Sequence, residues 1–177
     1  MPTHIDHNIP VVVVCNISET FYEFLSRGEN ADHHIRGEQY RGDRAIVWAG
    51  DPKLVFASLP IPHADDLRRQ AGYPGTEYEV PQRPTSWLSL DILREPALLH
   101  RLIEYAGEQR TVQLIPYAAT DEFLQLVEAL ENDHGLTVLL PESPRRDRLW
   151  IRDYVDSKIG FRILASRWLP DAERLLP

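Results

Sequence analysis

The sequence predicts a three-layer α/β sandwich of the Rossmann-like kind, with a mostly parallel sheet. Two observations carry that expectation. Short apolar runs rich in β-branched residues recur along the chain, beginning near Ile9, Leu54, Val112 and Leu136. A run with no polar alternation suits a strand buried on both faces, which needs helices above and below it. Between these runs lie amphipathic stretches with capping residues, and strands separated by helices imply parallel crossovers.

The first run, Ile9-Pro10-Val11-Val12-Val13-Val14-Cys15, stops at Asn16-Ile17-Ser18. Ser18 is expected to cap a short helix whose Phe21, Phe24 and Leu25 share one face, with Gly28 ending it. Residues 28–43 are polar and glycine-rich and read as the least ordered part of the chain. Arg44 to Ala49 reads as either a strand or the end of a helix. Gly50-Asp51-Pro52 turns the chain into Leu54-Val55-Phe56-Ala57, a second strand. A helix from Ala64 to Ala71 follows, stopped by Gly72.

Pro96 suits the first turn of a helix, in which Leu98, Leu99, Leu102, Ile103 and Ala106 form an apolar stripe. Val112 to Ile115 is a strand. Thr120 caps the next helix, with Phe123, Val127 and Leu130 on one face, and Leu136 to Leu140 is the last strand. Beyond it, Ser143-Pro144 reads as a cap and first residue of a helix running through Leu149 to Val155, and Asp156 as the cap of another. The expected organisation is a sheet domain over 1–142 and a helical tail over 143–177.

The chain has 177 residues, 43% of them hydrophobic, enough for one core without disulfides or metals. Nineteen basic against 27 acidic residues give a net charge of -8, which disfavours nucleic acid as a partner. A single cysteine, Cys15, permits no disulfide within the chain. The N-terminus lacks the basic residues of a signal peptide, and no stretch is long enough to span a membrane, so the cytoplasm is the expected location.

Four segments in order resemble the N-terminal region of ATP-grasp ligases, the pheganomycin-type peptide ligases in particular. They are Gly50-Asp51 leading into Leu54-Val55-Phe56, then Gly72-Tyr73-Pro74, then Leu114-Ile115-Pro116-Tyr117-Ala118-Ala119-Thr120, and Asp156-Ser157-Lys158-Ile159-Gly160-Phe161-Arg162-Ile163-Leu164-Ala165. The resemblance implies a pre-ATP-grasp domain followed by an ATP-grasp domain. It also implies activation of a small-molecule carboxylate by ATP and Mg²⁺ to an acyl phosphate, then attack by an amine, forming an amide or peptide bond. The sequence ends at Leu175-Leu176-Pro177, where the ATP-grasp fold is expected to begin. The chain alone is therefore expected to shape and assemble a site rather than to catalyse, with the downstream ATP-grasp domain as its partner. A free-standing Rossmann-like binding or interaction module is the alternative.

The resemblance places Lys158 at the lysine that contacts ATP phosphate in some of these enzymes; a solvated lysine in a first helical turn is the plainer account. Open α/β sheets bind ligands beyond the carboxyl ends of their strands, which makes Asn16, Ser18, Tyr117 and Thr120 the substrate-binding candidates. Helix capping accounts for Ser18 and Thr120 equally simply, and turn closure for Asn16 and Tyr117. No Gly-x-Gly-x-x-Gly and no Walker loop follows the first strand. Cys15 reads as a small buried hydrophobe, and the histidines match no closed metal-ligand set. In the tail, Ile159, Phe161, Ile163, Leu164 and Trp168 spread too widely for one stripe. An apolar face left open there promotes self-association.

Overall fold

A computed structural model describes residues 4–141 and 143–168, without the side chains of 152, 153, 155, 156, 158 and 168. The chain divides into two compact units, Met1–Ser143 and Pro144–Pro177.

The first unit is built on five parallel strands: β1 (Val11–Val14), β2 (Lys53–Phe56), β3 (Thr76–Glu79), β4 (Thr111–Pro116) and β5 (Thr137–Leu139). Their order across the sheet is β3-β2-β1-β4-β5. Pairing aligns Val13 with Val55 on one side and with Ile115 on the other. The expected three-layer α/β sandwich is thus the architecture observed, and its sheet is parallel throughout. All four expected strands are present. The fifth, β3, has the sequence Thr-Glu-Tyr-Glu, and its polar alternation hides it from a search for apolar runs. An edge strand tolerates that pattern because one side of its ladder is unpaired.

Helices α1 (Ile17–Leu25), α2 (Ala31–Gln39) and α3 (Ala64–Gln70), with a 3-10 stretch over Tyr40–Val47, lie in the β1-to-β2-to-β3 crossovers. Helices α4 (Leu88–Arg94), α5 (Pro96–Tyr105) and α6 (Asp121–Asn132) lie in the β3-to-β4-to-β5 crossovers. The first set steps across the sheet in one direction and the second set in the other. Right-handed crossovers therefore place the two sets on opposite faces. The contacts agree: α4 packs on both α5 and α6, while α2 and α3 pack on the 3-10 stretch. Val11, Val13, Cys15, Val55 and Ile115 form a core with Ala45, and alternation turns Val12, Val14, Leu54, Phe56 and Leu114 to the other face.

Several local expectations are corrected. Residues 31–43 form α2 and the start of the 3-10 stretch, and of the two readings open for Arg44 to Ala49 the helical one holds through Val47. Helix α1 buries Ile17, Ser18 and Glu19 and turns Phe21 and Phe24 outward, because its first turn is held through Glu19 by Ser89 and Thr120 while the helix packs sideways on α2. Ser18 is not its cap: the helix begins at Ile17, after Asn16.

The second unit holds a short 3-10 turn, Arg146–Arg148, then α7 (Leu149–Asp156) and α8 (Lys158–Trp168). Ser143-Pro144 does not start a helix, and Asp156 closes α7 rather than capping α8. The cap is Ser157, whose hydroxyl accepts from the Gly160 amide at 2.9 Å. Ile159, Phe161 and Ile163 are exposed and Leu164 is half-buried, while the side chain of Trp168 lies outside the described residues.

Candidate functional site

In this topology β1 leads to β2 on one side and has β4 on the other, so the strand order reverses between β1 and β4. The space beyond their carboxyl ends is where open α/β sheets take ligands. Asn16, two residues past β1, fills the start of that space. Its Oδ1 accepts from the Tyr117 amide at 2.9 Å and the Ala118 amide at 3.4 Å. Its Nδ2 donates to the Ala118 carbonyl and to Glu19 Oε1, each at 3.0 Å. The side chain therefore spends its hydrogen-bonding capacity on fastening β1 to the loop after β4.

Glu19 is the group that sequence reasoning missed. It is 4% exposed, in the first turn of α1. Besides Asn16, its carboxylate accepts from the Ser89 amide at 2.9 Å, from the Ser89 hydroxyl at 3.1 Å and from the Thr120 hydroxyl. Ser89 lies in the first turn of α4, and Thr120 caps α6 by accepting from the Phe123 amide at 3.1 Å. Three helix N-termini thus converge on one carboxylate, each presenting the positive end of its dipole. Burial pushes the Glu19 carboxyl above the usual carboxylate range, and its hydrogen bonds from Thr120, Asn16 and Ser89 pull the other way. An acidic residue in a helical first turn is common, so no local signal marks it; the convergence exists only in three dimensions.

The other expected residues fall around this network. Ser18 is buried and donates to the Ser86 carbonyl at 3.2 Å. Tyr117 is at the surface, its ring 5.8 Å from Trp48 in a stacked arrangement and 5.9 Å from Phe21. Trp48 and Tyr117, with Ile5, Ala49, Ile115 and Pro116, line a cavity of about 300 Å³. Ala49 there has φ 60°, a left-handed conformation that L-residues with a Cβ adopt at a cost. The backbone of Lys158 opens α8 in the second unit; its side chain lies outside the described residues. The structure therefore joins Asn16 and Thr120 through Glu19 and sets Ser18 and Tyr117 on its border.

A second buried charge lies at the opposite, amino edge. Lys53 opens β2, is fully buried, and donates from Nζ to the Gly50 carbonyl at 2.5 Å, with Nζ 4.4 Å from the centre of the Tyr73 ring. Burial lowers its pKa to about 8, against the attraction of Asp51. Asp51 in turn accepts from the Gly75 amide and the Thr76 hydroxyl, each at 2.9 Å, tying the starts of β2 and β3 together. Two of the segments that carry the ligase resemblance, around Gly50-Asp51 and Gly72-Tyr73, therefore meet around this amine.

Chemically, the carboxyl-edge network is an internal anion site whose anion is Glu19. With four donors upon it, that carboxylate is held rather than poised as a base. Cys15 is buried, and desolvation raises its thiol pKa to about 12, so it carries no thiolate at neutral pH. Among the described residues, no group of three or more His, Cys, Asp or Glu is placed to hold a metal, and no helix is long and apolar enough to cross a membrane. No protein-family model, curated protein or solved structure matches the chain.

Proposed function

We propose that this chain is the substrate-shaping and assembly domain of an ATP-dependent carboxylate–amine ligase, and that it does not catalyse alone. The observation that carries the reading is the sealed switch point. Where such a sheet would cradle a nucleotide phosphate, Glu19 supplies a negative charge that repels one. The switch point accordingly does not fit ATP and Mg²⁺, which on this reading belong to a separate ATP-grasp domain. Exposed apolar side chains in the second unit, Trp150, Ile159 and Phe161 among them, suit assembly with such a partner.

Calorimetry with ATP and Mg²⁺ on the isolated chain is the direct test, and no binding is expected. Low-micromolar binding at one site would sink the reading and favour the alternative, a free-standing binding or interaction module. The aromatic-walled cavity at Trp48 and Tyr117 is the feature that favours that second reading. The encoding gene separates the two as well. A reading frame that continues into a β-rich domain with acidic metal ligands supports the ligase. Replacing Ile159 and Phe161 by serine should lower any concentration-dependent association without lowering the melting temperature of the sheet unit.

A further inference from the structure

Past the carboxyl end of β3, the loop leading to α4 forms a pocket with the α4–α5 junction. The cavity measures about 350 Å³ and is lined by Gln82, Arg83, Thr85, Asp91, Arg94 and Glu95. That volume is at the small end of the range for ligand sites, which restricts it to metabolite-sized molecules. We propose that this pocket binds a small oxyanion, a carboxylate or phosphate group, between the guanidinium groups of Arg83 and Arg94.

The charge arrangement motivates the assignment. The chain is acidic overall, with a net charge of -8, and Arg27, Arg41, Arg68, Arg69 and Arg101 of the sheet unit each lie against a carboxylate. Arg101 is held by Glu77, Glu79 and Glu104; Arg41 by Glu38; Arg68 by Asp65; Arg69 by Asp66. Among the described residues, Arg83 and Arg94 make no ion pair or hydrogen bond, although two carboxylates line the same cavity. Those carboxylates are engaged by the loop. Asp91 accepts from the Thr85 amide at 2.8 Å and the Thr85 hydroxyl at 2.7 Å, and Glu95 accepts from the Gln82 amide at 3.0 Å. They thereby pin the loop on either side of Arg83. Two guanidinium groups lining one concave site supply the donors that a bidentate oxyanion contact uses. The N-terminus of α5, which begins at Pro96 on the pocket wall and has no side-chain cap bond, adds the favourable end of a helix dipole.

This inference does not depend on the ligase reading, and its test is separate from ATP binding. The intact chain is titrated with inorganic phosphate and, in a second arm, with acetate, at low ionic strength. Calorimetry gives the affinity, and NMR follows the amides of Gln82, Arg83, Thr85 and Ala97. The expected result is saturable binding with a dissociation constant of about 1 mM or tighter, weakened by salt. Arg83→Ala and Arg94→Ala should each weaken it by about tenfold, the loss expected for one charge-assisted contact. Arg69→Ala, whose partner is Asp66, should leave it unchanged. The tighter arm identifies phosphate or carboxylate as the natural group. All these arginines are exposed, so the variants should melt with the parent. The proposal is overturned if neither anion shifts the loop amides. It is equally overturned if binding survives loss of both arginines.

Discussion

Glu19, beyond the carboxyl ends of β1 and β4, and Lys53, at the amino end of β2, are both buried ionisable side chains in the same sheet unit. Their surroundings differ in one respect that decides what each does. Glu19 meets four donors from three separate stretches of chain, so its burial cost is offset and the group fastens α1, α4 and α6 to the sheet. Lys53 has three protons to donate and finds one carbonyl and one aromatic face. A buried charge with all its partners acts as an anchor, whereas one with few acts as a liability that titrates readily. The carboxyl edge is thereby rigid and the amino edge electrostatically soft.

Removing the anchor gives the largest expected effect. Glu19→Ala should lower unfolding stability by about 3 kcal/mol, because the Asn16 amide and the Ser89 amide lose acceptors inside a closed site. Glu19→Gln should rescue little. Its NH₂ would have to face either Asn16 Nδ2 or the Ser89 amide, and neither accepts a hydrogen bond in this arrangement. Chemical denaturation of both variants is the measurement. A loss under about 1 kcal/mol in Glu19→Ala would mean that the three helices hold their positions without the carboxylate, and the contrast between the edges would collapse.

The soft edge should respond in the opposite sense. Lys53→Met keeps the stem and removes the buried ammonium, so stability at neutral pH should hold or rise by up to about 2 kcal/mol. The pH dependence sharpens this. The folded pKa of about 8 lies below the ordinary 10.5, so between those values the unfolded chain binds more protons. The contribution of Lys53 to stability therefore rises as pH climbs from about 8 to 10.5, and its full penalty applies below 8. Thermal melting of parent and variant across that range should show the advantage of Lys53→Met shrinking with pH. An advantage that is flat or grows would assign the softness of this edge to another group.

How legible these edges were in the sequence follows from the range of the interactions. Strands β1, β2, β4 and β5 announce themselves through contiguous apolar residues, and α6 through Thr120 and the Phe123, Val127, Leu130 face, because those signals are local. Strand β3 does not, since Glu77 and Glu79 are acceptable on an edge. Outward-facing Phe21 and Phe24 misdirected the reading of α1: periodicity finds an apolar face but cannot tell that the helix docks by its first turn instead. At the candidate site, Asn16 and Thr120 were accessible as residues following strands. Glu19 and Ser89 were not, because seventy positions separate them in sequence and only the fold joins them. Lys53 left a faint trace, a single charge opening an otherwise apolar strand.

The smallest effect tests whether the carboxyl edge is as fully satisfied as the Glu19 network suggests. Ser58, two residues past the end of β2, is 2% exposed, and its hydroxyl has no hydrogen-bond partner among the described residues. An orphan hydroxyl in a closed site contributes a desolvation cost and no compensating bond. Ser58→Ala removes that atom and leaves a void smaller than a methyl group, so the two consequences oppose each other. The desolvation gain should win by a small margin, with stability rising by up to about 1 kcal/mol. Denaturant midpoints at constant slope would register the difference. A loss of stability would instead reveal that the hydroxyl is bonded to an ordered water, and that the carboxyl edge is held together by solvent as well as by side chains.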